Sequence, residues 1–387
     1  MRRASYDSDP LPMLADDKTF GYEQRQYGYF INPDTLPVPA LKSLAHYYSG
    51  NSMNKTYNLP EIKYPVMYAS VDADEAIAQK VVPERFRDYI NPVIQMDMTA
   101  DESTMSDGAM STSKVMSLDI VASSINEGWK RPVYFAMTVP DKYYLGLSPY
   151  MLNTGLAYQV TPVLYNQNGE AGVNTDKMYE NITTKFQWGG LDVAEPGSIY
   201  LDETVRRMVS TLRTSMLELA STLIHEGYVA AYDLEDETDE AKRAEKQAFV
   251  DDRYTKARDV LDLMVTKLPE KSCPYSIGVG EDLANKYFLL NDLTGNEEDL
   301  KKAEDIIINE VFKYAEYLRF YHSLENKFYS RLNSYDMYID QTLFLSYLDT
   351  LNDIAGEEKC AEVLMLVEAM GVNMDRLNMM AERNANR

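Results

Sequence analysis

The sequence predicts an α+β protein. An N-terminal α/β layer spans residues 1–200, and an all-α region of tetratricopeptide-like helix hairpins spans residues 201–387. Three observations carry that prediction. Pro10, Pro12, Pro33, Pro37, Pro39 and Pro60 punctuate the first part of the chain and forbid long helices there. Between residues 64 and 165, short apolar runs alternate with helical patterns, the order of a sheet built with crossover connections. After residue 200, apolar residues recur only at helical spacing.

Taken in order, Ala40–Tyr48 is the one stretch among those prolines with room for a helix, and Tyr64–Ser70 reads as a short strand. Residues 97–113, rich in Ser, Thr, Asp and Met, read as a polar loop. Ser113 then caps a helix whose face carries Val115, Leu118, Val121, Ala122 and Ile125, and Gly128 ends it. Pro132–Thr138 follows as a buried strand. A second helix is expected from about Ser148, with Pro149 in its first turn, to Gly155. Tyr158–Tyr165 is the next strand, Pro162 marking an edge or a bulge.

In the helical region, Thr204–Glu226 places Val205, Met208, Val209, Leu212, Met216, Leu219 and Leu223 on one face. Asp233–Glu240 is an acidic loop between helices. Ala257 precedes Pro269 by 12 residues, the interval from the small residue of a second helix to the terminal proline of a tetratricopeptide unit. Leu283, Ala284 and Tyr287 fit a first-helix face and are followed by Gly295 and Ala303, and Leu348, Gly356 and Ala361 repeat the Leu, Gly, Ala order at shorter intervals. The match is degenerate, because the period exceeds the ~34-residue unit and no Trp opens it.

Charge narrows the function classes. With 61 acidic against 38 basic residues the chain carries a formal charge of −23, which argues against nucleic acid and against anionic lipid as partners. No apolar run approaches the ~20 residues that cross a bilayer. The N-terminus lacks the apolar stretch of a signal peptide, so Met1 is expected to begin a piece of a longer chain. Cys273 and Cys360 are too few for a disulfide framework.

No catalytic constellation emerges. His46, His225 and His322 have no partner at metal-ligand spacing; His225 and Glu226 are expected to close a helix. Asp97, Thr99 and Asp101 superficially match a calcium loop, but Glu102 and Gly108 stand where Gly and Glu are needed, so neither metal nor cofactor is expected. Asn181-Ile-Thr is a glycosylation acceptor by pattern only. The 30 tyrosines, Tyr134, Tyr158 and Tyr287 among them, are assigned chiefly to the core, with stacking on a sugar as the alternative use of some cluster. Lys130 and Arg131, between the helix end at Gly128 and the strand at Pro132, suit a phosphate or carboxylate, with Trp129 beside them to stack on a sugar. The bland counterpart is an ion pair for Arg131 and a core role for Trp129.

Three segments are more specific: Arg2–Pro12 (Arg-Arg-Ala-Ser-Tyr-Asp-Ser-Asp-Pro-Leu-Pro), Asn126–Ala136 (Asn-Glu-Gly-Trp-Lys-Arg-Pro-Val-Tyr-Phe-Ala), and Gly146-Leu147 with Leu152–Val163. Together they resemble the C-terminal extramembrane region of a Bacteroidetes-type multispanning membrane protein family. That family, long a domain of unknown function, is related to transmembrane protein 260, a protein O-mannosyltransferase of the glycosyltransferase-C class. The resemblance covers residues 1–165 and thins across the helices. It implies a non-catalytic domain on the periplasmic side of a bacterial inner membrane, in a membrane-embedded parent, binding acceptor protein, glycan or a partner. The family's catalytic acid belongs to the membrane part, so no catalytic residue transfers. Two alternatives stand beside this. The chain could itself contribute donor-binding residues, with Asp7, Asp9, Lys130 and Arg131 as first candidates. Or it could be a surface glycan-binding protein of the starch-utilisation lipoprotein type.

Overall fold

Short apolar runs between Pro, Gly and Asn leave the N-terminal half with strands of 2 to 5 residues. The computed structural model describes residues 28–31, 53–54, 59–62, 66–97, 109–164, 172–193, 198–235, 237–329, 331–332 and 334–372. The chain divides into two units, Met1–Asn181 and Ile182–Arg387.

In the first unit, β1 (Gly28–Ile31), β2 (Met53–Asn54), β3 (Leu59–Ile62) and β6 (Ala109–Ser111) form a sheet in the order β2–β3–β1–β6. β4 (Val66–Ser70) and β5 (Val93–Asp97) form an antiparallel ribbon with Tyr68 opposite Gln95. β7 (Tyr134–Ala136), β8 (Met151–Asn153), β9 (Ala157–Val160) and β10 (Gly172–Val173) form the third sheet, in the order β10–β8–β9–β7. The helices are α1 (Ala73–Ala78), α2 (Thr112–Asn126) and α3 (Thr175–Glu180). Val115, Leu118, Val121, Ala122 and Ile125 of α2 are all buried, as their spacing predicts, and join Ile94, Met96, Leu147, Leu152 and Val160 in the core.

Several local expectations change. The helix expected at Ser148–Gly155 is a single 3-10 turn, Ser148–Tyr150, followed by β8, because Met151 and Leu152 are drawn fully into the core. Only three residues then separate β8 from β9, which forces an antiparallel hairpin where a crossover was expected. Among the described residues only β1–β3 and β8–β10 run parallel. The strand read at Pro132–Thr138 is short and forms a sheet edge, with Tyr134 exposed, not buried. The polar stretch at 97–113 begins on β5 at Asp97 and ends on β6 and the first turn of α2, whose cap is Ser111 and not Ser113. Pro162 lies beyond β9, its carbonyl accepting from the Asn91 amide at 2.8 Å. The Ala40–Tyr48 helix, most of the calcium-like loop and His46 fall outside the described residues.

The second unit contains α4 (Glu203–Glu235), α5 (Glu240–Lys267), α6 (Val279–Thr294), α7 (Glu297–Ser323), a single turn at Asn326–Tyr329, and α8 (Ser334–Ala369), which Gly356 breaks with φ of 82°. α4 lies along α5, α6 along α7, and α7 along α8, so the region is a series of helix hairpins. Gly295, read in the sequence only as a repeat position, ends α6 at φ 69°, and Asn296 caps α7. Residues before 200 also belong to this unit, since Lys267 pairs with Asp192 at 2.7 Å and the Ser272 hydroxyl donates to the Leu191 carbonyl at 3.0 Å.

Here too tertiary contacts revise the reading. α4 runs past Glu226, so His225 lies exposed in mid-helix, and Glu226 instead pairs with the buried Arg253 at 3.3 Å. The apolar stripe starts at Val209; Val205 and Met208 face solvent. The acidic run is not one loop. Asp233 and Glu235 finish α4, Glu237 pairs with Lys246 at 3.0 Å, and Asp239 caps α5 by accepting from the Ala241 and Lys242 amides.

Candidate functional site

The sequence-derived candidates lie at the end of α2. The Gly128 amide donates to the Ile125 carbonyl and the Trp129 amide to that of Ser124, the paired bonds of a Schellman closure. Gly128 takes the left-handed φ of 69° that this closure requires, and Trp129 continues it at 63°. Trp129 is 3% exposed and belongs to the core cluster. Lys130 and Arg131 are exposed on the turn that follows, and the Arg131 carbonyl accepts from the Ser124 hydroxyl. Asp7 and Asp9 fall outside the described residues.

A concave site lies elsewhere in the same unit. α1, capped by Asp72, closes with its own Schellman pair, Lys80 to Ile77 and Val81 to Ala76. That places Lys80 in left-handed conformation at φ 57°, a strained state for a residue with a Cβ. The chain then buries Val81 and Val82 and turns at Pro83 into a 3-10 segment, Glu84–Tyr89. From the far end of the unit, Asn174 caps α3 by accepting from the Lys177 amide at 3.2 Å. Arg85 joins the two pieces, donating to Asp176 at 2.9 Å and to the Thr175 hydroxyl at 2.6 Å.

Between them opens a groove of about 370 Å³, walled by Lys80, Glu84, Asn174, Asp176, Lys177 and Glu180 over Ile77, Val82 and Pro83. Lys177 is held in place: its ammonium donates to Gln159 at 2.7 Å and to the Tyr134 hydroxyl at 2.9 Å. Gln159 is 1% exposed and its amide donates to the Val81 carbonyl at 3.3 Å, so one buried amide ties β9, α3 and the α1 corner together. The Arg87 guanidinium, bonded to Glu84, holds that carboxyl below the usual carboxylate range.

Chemically the groove offers ammonium donors, carboxylate acceptors and an amide around an apolar floor, a set that hydrogen-bonds a polyhydroxylated or zwitterionic ligand. No cluster of His, Cys, Asp or Glu able to hold a metal occurs among the described residues. Neither Lys130 nor Arg131 lines this groove, and sequence reasoning missed the residues that do. Asn174-Thr175-Asp176 is a legible helix start, but the pairing of Lys177 with Gln159 and Tyr134 arises from three separate elements. The Asn181 amide is also engaged, donating to the Thr154 carbonyl at 2.7 Å.

A second cleft, of about 330 Å³, lies between α4 and α6 in the helical unit, lined by His225, Tyr228, Asp282, Lys286 and Leu289 among others. No described helix is long and apolar enough to cross a membrane. Residues 1–178 match the family described as TMEM260-associated domain 2. No curated protein matches the chain, and no solved structure does. The groove lies almost wholly inside the matched span, and the segments Asn126–Ala136 and Leu152–Val163 that carry the resemblance supply Trp129, Leu152, Val160 and Val163 to the core cluster that also holds Val82. Residues 1–178 are a TMEM260-related domain.

Proposed function

We propose that this domain is the non-catalytic binding module of a glycosyltransferase-like membrane protein, working on the periplasmic side of a bacterial membrane and holding glycan or glycan-acceptor chains in the groove beside α3. The observation that carries the reading is the held Lys177. An ammonium fixed by a buried amide and a tyrosine hydroxyl lines the same groove as the carboxylates of Glu84, Asp176 and Glu180 and the apolar Ile77, Val82 and Pro83, a set of donors and acceptors that suits the hydroxyls of a sugar. In this reading the site binds without cleaving: Glu84 and Asp176 of its wall are held by Arg87 and Arg85 rather than set as the acid and base that glycosidic chemistry commonly needs. Lys130 and Arg131, exposed on the turn after α2, serve in this reading as a separate contact for an anionic group on the acceptor.

The test is calorimetric titration of the full chain with mannobiose and with a Ser/Thr-rich acceptor peptide, repeated on Lys177→Met. Saturable binding of either probe, weakened about tenfold by the substitution, supports the groove; tenfold corresponds to ~1.4 kcal/mol. Binding that Lys177→Met leaves unchanged refutes the groove as its site, and no binding of either probe refutes the function.

A further inference from the structure

The connection between α5 and α6, residues 268–278, is gripped from two helices. From α4, the Arg213 guanidinium donates to the carbonyls of Leu268 at 2.7 Å, Cys273 at 2.6 Å and Pro274 at 3.1 Å. From α7, the Lys313 ammonium reaches Glu270 at 3.3 Å, the Tyr275 carbonyl at 3.4 Å, and both carboxyl oxygens of Glu310 at 3.2 Å. Glu310 is 1% exposed. Its carboxyl occupies the place a side chain on Gly280 of α6 would need, because a Cβ there would stand 2.6 Å from Glu310 Cγ. Two carboxyls and one ammonium therefore share a mostly buried site, where two full negative charges are poorly compensated.

We propose that Glu270, Glu310 and Lys313 form a proton-operated latch on the α5–α6 connection, closed while Glu310 holds its proton and loosened when that proton passes to solvent. The charges on every side agree with this. Burial, reinforced by the charge and hydrogen bond of Glu270 and opposed by Lys313, raises Glu310 to about 7. Tyr275 from the connection, Tyr314 from α7 and Tyr347 from α8 also face it; burial pushes all three upward, Tyr275 to about 12, so none competes for that proton. α6 presents Gly280 there, and its neighbour Glu281 accepts from the hydroxyls of Ser346 and Thr350. On α4, Arg213 stacks on the Tyr275 ring at 4.5 Å. The sign follows from a folded value above the ordinary 4.5: the stabilisation is complete below about pH 4.5 and is lost as pH rises through about 7.

The experiment uses the full chain, its Glu310→Gln and Glu270→Gln variants, and hydrogen exchange of the amides in residues 269–278. After correction for intrinsic rates, exchange there is expected to be about tenfold faster at about pH 8 than at about pH 6 in the parent, with that ratio close to one in Glu310→Gln. Equal ratios in parent and variant overturn the latch. Should Glu310→Gln fail to fold, carbon-detected titration of the Glu310 carboxyl decides. A midpoint near 7 in the parent that moves toward 4.5 in Glu270→Gln supports the latch, and a midpoint near 4.5 in the parent overturns it.

Discussion

Both units use cations to hold distant pieces of chain together, and they differ in what those cations touch. In the first unit Lys177 and Arg85 stand at a groove, bonded to side chains, with part of their surface open to solvent. In the second, Arg213 is 1% exposed and bonded to three backbone carbonyls, and Arg258 holds the fully buried Asp299 with its Nε 2.9 Å from both carboxyl oxygens. The difference traces to the elements. Strands of a few residues and a two-turn helix leave charged ends at a rim, whereas helices of 27 to 33 residues bring charged positions into the packed faces between them. A cation at a rim remains available to a ligand, while one sealed against carbonyls is consumed by the fold.

The strongest way to break this comparison is Arg213→Ala. It strands three carbonyls in the interior and removes the cation over Tyr275, so the helical unit should lose about 3–5 kcal/mol in urea unfolding. A loss under about 1 kcal/mol would mean that buried ions are as dispensable there as rim ions. Trp129→Ala is expected to cost the first unit roughly 3 kcal/mol, through the void left in its core. Near-neutral stability with lost probe binding would instead return Trp129 to the ligand role read from the sequence.

Gln159→Ala tests whether the rim is truly organised from beneath. Losing the acceptor for Lys177 and the donor to Val81 should cost about 1–3 kcal/mol and weaken probe binding as much as Lys177→Met does. Stability loss with unaltered binding would separate the amide from the site. The smallest effect, and the only gain, is expected for Lys80→Gly: relieving the left-handed φ of 57° should stabilise by about 1 kcal/mol, while the lost ammonium weakens probe binding. If the melting temperature falls instead, the Lys80 side chain contributes packing that outweighs its backbone strain.

The sequence by itself determined the class of each half. The five apolar positions of α2 at helical spacing and the Gly128 closure were legible because they depend on neighbours within a few residues. Of the TMEM260-related segments, also legible, Leu152–Val163 is largely buried, whereas most of Asn126–Ala136 is exposed apart from Gly128 and Trp129. What only tertiary structure decided was where apolar and charged residues with weak local preference would go. Ser148–Gly155 gave up its helix because the core could bury Met151 and Leu152 as a strand, and Tyr134 came to an edge because β9 pairs on its far side with β8. The groove, too, depended on the fold. Lys80, Gln159 and Lys177 carry no signal in their own surroundings, and they acquire one only when three elements meet, because a hydrogen bond across 18 or 78 positions is fixed by packing and not by local sequence.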